Sequence, residues 1–249
     1  MVDIDIDTLG QYFDHTVLKS DATIKDIDNL IDEAIKYKFK SVCVNSYYVK
    51  HCYNRLKDTN VKVCAVVGFP LGTNVTKAKV FETVCCIEDG ATEIDMVLNV
   101  GLFKSGNLDE VKEDLESVIN ECHSRKAIVK VILETCLLNA EEIKTASQIS
   151  LQCGADFIKT STGFNSSGAS IEAVEIMTKV AHPLNKFVKA SGGIRDGVTA
   201  LTYIGLGADR LGTSATVKIY NDILQTLKEN PEIKATDTET ASDINSDSY

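Results

Sequence analysis

The sequence predicts an α/β fold and, within that class, the (β/α)8 or TIM barrel. Three observations support this prediction: a length of 249 residues, eight short apolar segments, and helical periodicity between them. A doubly wound open sheet is the alternative, but no G-x-G-x-x-G sequence follows the first strand. We expect one barrel domain over residues 1–228 and a flexible acidic tail over 229–249.

The strand candidates are short apolar runs distributed along the chain. In order they are DHTVL at 14–18, SVCVN at 41–45, KVCAVVGF at 62–69, EIDMVLNV at 93–100, IVKVILET at 128–135, FIKTSTG at 157–163, FVKASGG at 187–193 and RLGTS at 210–214. Side chains on a strand alternate between its two faces, so each run assigns one set to the barrel interior and one to the surrounding helices.

Helical periodicity fills the intervals between the strands. An apolar stripe from Ile24 to Ile35 begins directly after Thr23. Thr23 and Asp26 are spaced to form a capping box. A last helix is expected near 216–228. Three further stripes each follow a residue suited to cap a helix. After Asn107 the stripe is Leu108, Val111, Leu115, Val118 and Ile119. After Asn139 it is Ile143, Ala146 and Ile149, and after Asp196 it is Val198, Leu201 and Ile204.

Three helix–strand junctions repeat one layout, in which a glycine suited to end a helix is followed by alanine and a strand. Since alternate strands supply each layer of a barrel interior, the repeat predicts that equivalent residues on the fourth, sixth and eighth strands lie at one height. The junction glycines are Gly90, Gly154 and Gly207, and the equivalent strand residues are Asp95, Lys159 and Gly212.

One face of the predicted strands is polar and charged, whereas the other is apolar and should pack on the helices. Charged groups in a barrel core are costly unless they are paired. The interior is therefore either a buried structural ion network or a reaction chamber. The polar face carries Asp14, Thr16, Ser41, Cys43, Asn45, Glu93, Asp95, Lys130, Glu134, Lys159, Ser161, Lys189 and Ser191.

Three interior lysines, Lys130, Lys159 and Lys189, indicate a specific chemistry. A desolvated, neutral lysine amine attacks a carbonyl to form an imine, and the protonated imine withdraws electrons from a nearby carbon–carbon bond. Asp95, paired with Lys189, could move the protons. The residue pattern does not distinguish which lysine is the nucleophile.

The last three strands end in glycine-containing loops that favour an anion. These loops are STG at 161–163, SGGI at 191–194 and GTS at 212–214. The loops after strands seven and eight form the usual phosphate corner of this barrel, and helix N-termini there attract anions. Arg195 adjoins this corner, either as an anion ligand or as a surface salt-bridge partner.

Composition excludes several classes of function. The net charge of −10 argues against nucleic acid as the main partner. The four histidines are scattered, so no metal site is predicted, and the eight cysteines are expected to be free thiols. No apolar run approaches the length of a membrane span, and the acidic N-terminal sequence is unlike a secretory signal, so cytoplasm is the default location.

Together, these motifs resemble the deoxyribose-phosphate aldolases, a family of class I aldolases with the (β/α)8 fold. The resemblance implies reversible cleavage of 2-deoxy-D-ribose 5-phosphate to acetaldehyde and D-glyceraldehyde 3-phosphate in deoxyribonucleoside catabolism, with no cofactor. The matching segments cover most of the chain, and they are DHTVL, VCVN, VVGFPLG, EIDMVLN, VKVILET, DFIKTSTGF, VKASGGIR and ADRLGTS.

The resemblance also implies residue roles. Lys159 corresponds to the Schiff-base lysine. Lys189 corresponds to a second lysine that favours the neutral form of Lys159, and Asp95 to an aspartate that relays protons through water. Residues expected to bind or support the substrate are Asp14, Thr16, Cys43, Lys130 and Thr162. Residues expected to bind the phosphate are Gly163, Gly192, Gly193, Gly212 and Ser214.

Two features mark this chain within the resemblance. Ala215 follows Ser214 where many members have a second serine, so we expect phosphate binding to be weaker by about 1 kcal/mol. The tail ends in Tyr249, as in some members. That tyrosine either enters the barrel mouth and assists proton transfer at the enamine carbon, or belongs to a passive tail.

Other functions are compatible with the sequence. A class I aldolase or transaldolase for a different phosphosugar would use the same lysine chemistry. A non-catalytic phosphosugar-binding or scaffold barrel is a further alternative, whereas a metal-dependent epimerase is disfavoured by the scattered histidines. The exposed helix faces are compatible with a homodimer.

Overall fold

The computed structural model describes residues 5–229, which form a closed barrel of eight parallel strands in sequential order. The predicted fold is thereby confirmed. Residues 1–4 and 230–249, and with them Tyr249, lie outside the described residues. The strands are β1 Phe13–Val17, β2 Ser41–Val44, β3 Lys62–Val67, β4 Glu93–Val97, β5 Ile128–Ile132, β6 Phe157–Lys159, β7 Phe187–Ser191 and β8 Arg210–Thr213.

Helices connect the strands, and several of their N-termini are capped by side chains, although Asn107 makes no side-chain capping bond to α5. Thr23 and Asp26 form the predicted capping box, and Asn139 forms a second one with Glu142. Asp196 accepts a hydrogen bond from the Thr199 N–H group. The helices are α1 Ile24–Tyr37, α2 Val49–Leu56, α3 Thr76–Glu88, α4 Val100–Lys104, α5 Leu108–Ser124, α6 Ala140–Gln152, α7 Ile171–Ala181, α8 Gly197–Gly205 and α9 Thr216–Glu229.

The apolar core lies between the outer face of the barrel and these helices. The predicted helical stripes are buried along most of their length, but Ile24, Ile35 and Val198 are exposed. These three lie in the terminal turns of their helices. No helix within residues 5–229 is long and apolar enough to cross a membrane.

The three junction glycines share one backbone conformation, as the repeat in the sequence predicts. Gly90, Gly154 and Gly207 have φ values of 108°, 107° and 96° and directly follow the last turns of α3, α6 and α8. A side chain at such angles is strained, so glycine ends each helix and returns the chain to the next strand.

The strand register arranges the interior in layers. Asp95 pairs with Lys130, and Lys130 pairs with Phe157. Because the strands are tilted, Lys159, two residues beyond Phe157, reaches the height of Asp95. The same steps close around the barrel and give three layers, which from the mouth downwards are Cys43, Asp95, Lys159 and Gly212, then Asp14, Cys64, Lys130 and Lys189, then Ser41, Glu93, Phe157 and Arg210.

Candidate active site

Asp95 is the central acceptor of the upper two layers. Its Oδ2 atom accepts from Lys159 Nζ at 2.9 Å and from Lys189 Nζ at 2.8 Å. Its Oδ1 atom accepts from Lys130 Nζ at 2.8 Å and from the Cys64 thiol at 3.1 Å. One buried carboxylate therefore holds all three interior lysines together.

Asp14 and Glu93 complete the network below Asp95. Asp14 accepts from Lys189 Nζ and Arg210 Nη1, each at 2.5 Å. Glu93 lies 2.6 Å from Lys130 Nζ and 3.2 Å from Arg210 Nη1. Each carboxylate thus contacts at least two cations, which offsets the cost of burying it.

The network has one surplus cation. Within residues 5–229, four basic groups face three carboxylates, since Lys130, Lys159, Lys189 and Arg210 surround Asp14, Glu93 and Asp95. Loss of one proton would make the cluster neutral. Lys159 contacts a single carboxylate oxygen and shares it with Lys189, so it has the fewest ionic partners of the four basic groups.

The other basic groups are held in their charged forms. Burial would lower the pKa of Lys130, but Asp95, Cys64 and Glu93 raise it well above 10.5. Burial likewise opposes charge on Lys189, yet Asp14 and Asp95 raise its pKa. These shifts make Lys130 and Lys189 poor nucleophiles, a distinction that the residue pattern alone left open.

A cavity of about 260 Å³ opens at the C-terminal ends of the strands, where barrel enzymes carry their active sites. Lys159 is the interior lysine that lines it, whereas Lys130 and Lys189 are fully buried beneath. The rest of the wall comes from the ends of β1, β6, β7 and β8. It includes Thr16, Lys19, Thr162, Gly163, Phe164, Ser191, Gly192, Gly193, Arg195, Gly212 and Ser214.

The glycine-rich side of this cavity is suited to an anion. Among the hydrogen bonds described for residues 5–229, the N–H groups of Gly163, Gly192, Gly193 and Ser214 have no protein acceptor. Unpaired main-chain N–H groups that face a cavity bind phosphate or carboxylate oxygens. Arg195 and Lys19 are exposed at the same rim and add positive charge.

The predicted site residues fall into two groups. All five expected phosphate-binding residues line the cavity, as do Thr16, Thr162 and Lys159. Asp14, Cys43, Asp95, Lys130 and Lys189 lie below the cavity floor, each fully buried. Groups in this second set would act on a substrate through Lys159 or through water.

Gly212 also serves the buried network. A Cβ atom at this position would lie 2.8 Å from Lys189 Cε and 2.9 Å from Ser191 Cβ. Glycine in the upper layer therefore leaves the space that the Lys189 side chain occupies. The motif GTS indicated an anion loop, but this steric role follows only from the packing.

Arg210 and Cys64 also belong to the network, although the sequence pattern did not predict their membership. Arg210 lies in the lower layer, with its guanidinium 5.4 Å from the centre of the Phe157 ring. Alternation along β8 would have placed Arg210 on the same face as Gly212. The inward position of Cys64 follows from its register with Cys43 on the neighbouring strand, whereas the sequence indicated only a free thiol there.

The alternation of side chains between the two faces of β5 does not continue beyond the end of that strand. The sequence placed Glu134 on the same inner face as Lys130, but β5 ends at Ile132 and Glu134 has a left-handed backbone, φ 57° and ψ 62°. Its carboxylate accepts from the N–H and hydroxyl groups of Thr162. Glu134 is therefore separate from the lysine network and contacts the β6–α7 loop instead.

The same chamber has the ligand types that a soft metal prefers. Ligand atoms of Cys43, Cys64 and Asp95 lie within 4.8 Å of one another. However, the Asp95 oxygens already bind ammonium groups, and Lys130 Nζ lies 3.4 Å from Cys64 Sγ. A divalent cation would have to displace these lysines, so the residues fit a cationic amine better than a metal.

The fold and this chamber define a (β/α)8-barrel enzyme with a lysine at the floor of a cavity whose glycine-rich wall has unpaired main-chain N–H groups. The family model of the DeoC/LacD aldolases matches residues 8–203. The chain is 51% identical to a deoxyribose-phosphate aldolase of Clostridium tetani, over 86% of this chain and 98% of that protein. It is 50% identical to one from Brevibacillus brevis, over 85% and 94%.

Solved structures of deoxyribose-phosphate aldolases have the same fold as this chain. A candidate deoxyribose-phosphate aldolase from Coccidioides immitis superposes with a TM-score of 0.86 at 41% identity, covering 90% of this chain and 88% of that one. The tetrameric deoxyribose phosphate aldolase of Aeropyrum pernix superposes with a TM-score of 0.84 at 34% identity, covering 89% of this chain and 93% of that one. The chain belongs to the DeoC/LacD family of aldolases, which confirms the resemblance seen in its motifs and makes it a lyase.

Proposed function

We propose that the protein cleaves 2-deoxy-D-ribose 5-phosphate reversibly to acetaldehyde and D-glyceraldehyde 3-phosphate through a Schiff base on Lys159. The observation that carries this proposal is that Lys159 lines the same cavity as the unpaired N–H groups of the glycine-rich corner. That arrangement fits a short substrate with an aldehyde at one end and a phosphate at the other. The relatives' shared activity supports the choice of substrate.

The neutral amine of Lys159 attacks the C1 aldehyde of the open-chain sugar, and loss of water gives a protonated imine. Removal of the proton from the C3 hydroxyl then breaks the C2–C3 bond. The bonding electrons pass into the imine and give an enamine, and D-glyceraldehyde 3-phosphate leaves. Protonation of the enamine at C2 and hydrolysis release acetaldehyde and restore the amine.

Asp95 and Lys189 manage the protons. Both are fully buried, so contact with the C3 hydroxyl would pass through a water molecule at the cavity floor. Lys189 Nζ donates to the same Asp95 oxygen that Lys159 contacts. Its fixed positive charge disfavours a second ammonium beside it and keeps the Lys159 amine free to react.

The proposal is tested by trapping the imine. The protein is incubated with acetaldehyde and a chelator, reduced with borohydride, and mapped by peptide mass spectrometry. An ethyl group on Lys159 alone is expected. A label on Lys130 or Lys189 would keep the aldolase class but change the nucleophile. No label in folded protein would favour a binding protein instead.

Substrate choice needs its own test, because other class I aldolases share the lysine chemistry. Cleavage of deoxyribose phosphate is compared with cleavage of fructose phosphates at equal concentration. We expect cleavage of the deoxy sugar alone, as required for a role in deoxyribonucleoside catabolism. Faster cleavage of a fructose phosphate would reject the proposed substrate.

We also propose that the protein assembles into a homodimer. Large apolar side chains are exposed in the β3–α3 loop and on α3, where Leu71, Val75 and Phe81 are each at least 70% exposed. One structural relative is tetrameric. Light scattering of Phe81→Glu, with Leu184→Glu as the control at another exposed apolar position, should show loss of the dimer only for the first.

A further inference from the structure

Glu134 has an unusual combination of backbone and side-chain environments. Four non-glycine residues within 5–229 have positive φ: Lys38, Lys126, Glu134 and Asn185. The other three are exposed and precede strands, on the side of the barrel away from the mouth. Glu134 is 3% exposed and follows β5, on the side where the cavity opens. Such a strained residue persists only where its surroundings hold it in place.

The backbone around Glu134 forms a bulge against the strand that carries Lys159. The Leu133 N–H donates to the Lys159 carbonyl, and the Thr135 N–H donates to the Thr160 carbonyl, each at 2.9 Å. In a regular parallel ladder these two N–H groups would pair with carbonyls two residues apart. The extra residue is Glu134, and bulges of this kind redirect a side chain beside an active site.

The redirected carboxylate fixes the β6–α7 loop. Glu134 Oε1 accepts from the Thr162 N–H at 3.1 Å, and Oε2 accepts from the Thr162 hydroxyl at 2.5 Å. The hydroxyl oxygen in turn accepts from the Phe164 N–H at 3.1 Å. Within the described part of the chain, no basic side chain forms an ion pair with Glu134, so its partners are these neutral donors.

These bonds determine which donor of the loop remains for a ligand. Of three successive N–H groups, Glu134 binds that of Thr162 directly and that of Phe164 through the hydroxyl. The middle one, on Gly163, has no acceptor among residues 5–229, and Gly163 lines the cavity.

We propose that Glu134 is a positioning residue that sets the anion corner by clamping Thr162 and leaving the Gly163 N–H free for the substrate phosphate. This inference rests on the proposed function for the identity of the anion. It assigns no chemical step to Glu134. Its loss should therefore weaken binding of the phosphate and leave imine formation on Lys159 unchanged.

The test uses Glu134→Gly, because glycine adopts the observed left-handed backbone without strain while the side chain and its carboxylate are removed. Lys126→Gly is the matched control, since Lys126 has φ 62° and is exposed at the far end of the barrel. Calorimetry with inorganic phosphate measures anion binding independently of catalysis. Kinetics compare deoxyribose phosphate with unphosphorylated deoxyribose, and borohydride trapping of acetaldehyde reports on Lys159.

For Glu134→Gly we expect phosphate affinity to fall and the KM for deoxyribose phosphate to rise, each about tenfold, as for one lost hydrogen bond to a charged group. Turnover of unphosphorylated deoxyribose and the trapping rate should stay within about twofold of the wild type. Thr162→Val should reproduce the loss, Thr162→Ser should retain binding, and Glu134→Gly with Thr162→Val should add nothing further.

Unchanged phosphate affinity in Glu134→Gly would overturn the inference, as would equal losses with both sugars. Equal effects of Lys126→Gly and Glu134→Gly would also overturn it, because general loosening of the barrel would then explain the result. Failure of the wild type to trap acetaldehyde would reject the proposed function instead. The calorimetric comparison would still decide the role of Glu134 in that case.

Discussion

Lys159 and Lys189 direct their ammonium groups at one oxygen atom, Asp95 Oδ2, at 2.9 and 2.8 Å. Two lysines on neighbouring strands thus share one acceptor. Lys189 has a second carboxylate partner in Asp14, whereas Lys159 has none beyond Asp95 among residues 5–229. Of the pair, Lys159 is therefore the lysine with fewer ionic partners.

Replacement of Lys159 by methionine should remove catalysis without unfolding the barrel. Three cations and three carboxylates remain in the interior, so the network stays neutral. We expect a fall in kcat of at least about 10³-fold and no trapped adduct. The free energy of unfolding, measured in urea, should change by less than about 1 kcal/mol. A loss of several kcal/mol would contradict the assignment of Lys159 as the surplus cation.

Lys189→Met should behave differently, because it removes a partner from both Asp14 and Asp95. Removing one partner of a buried ion pair lowers the free energy of unfolding by about 3 kcal/mol or more. Lys189 also holds the Asp95 oxygen that Lys159 contacts, so kcat should fall at least about tenfold. Urea unfolding and steady-state kinetics measure the two effects, and an unchanged kcat would refute the coupling.

Arg210 stabilises the lower part of the network. Its guanidinium contacts Asp14 and Glu93, and those charges raise its pKa despite burial. Arg210→Met should reduce the free energy of unfolding by about 3 kcal/mol. Arg55→Met is the control, since its pairs with Asp28 and Asp32 are exposed and should be worth less than about 1 kcal/mol. Similar losses in both variants would argue against a special role for Arg210.

The close approach of two loops at the anion corner predicts different effects of two glycine substitutions. A Cβ atom on Gly168 would overlap the carbonyl group of Gly192, whereas one on Gly193 would meet no atom within 4 Å. Gly193→Ala should cost only backbone strain, about 1–2 kcal/mol at its φ of 76°. Gly168→Ala should displace Gly192 and raise the KM for deoxyribose phosphate more. Urea unfolding and steady-state kinetics test this order, and a larger KM effect for Gly193→Ala would reverse it.

The buried carboxylates predict how stability depends on pH. Burial alone would raise the pKa of Asp14, but Arg210, Lys189 and Lys130 lower it below 3.8, and the three lysines likewise lower that of Asp95. The unfolded chain therefore binds more protons below about pH 4, so the stability these groups supply is present above that pH and lost as pH falls further. The free energy of unfolding should fall steeply below about pH 4 and decline less between about pH 7 and pH 5, where burial lowers the pKa of His15. Proton uptake on unfolding below about pH 4 should be small if the network carries no charge.

The sequence by itself determined the barrel and its polar interior. All eight strands were predicted within a few residues, because alternation with a period of two and helical periodicity are local properties of the chain. The same alternation brought Asp95, Lys159 and Lys189 to the inner face. The repeat of Gly90, Gly154 and Gly207 even gave the common height of Asp95 and Lys159.

Only the tertiary structure decided which lysine reaches the cavity, and it brought Arg210, Cys64 and Glu134 into the account of the site. The height of a side chain in a closed barrel depends on strand tilt and on the stagger summed over eight strands, which no local window contains. The charge balance among the four basic groups and three acids is likewise set by contacts between residues up to 196 positions apart. The bulge at Glu134 ended the alternation because its backbone is held by the neighbouring strand, and a sequence pattern does not encode that partner.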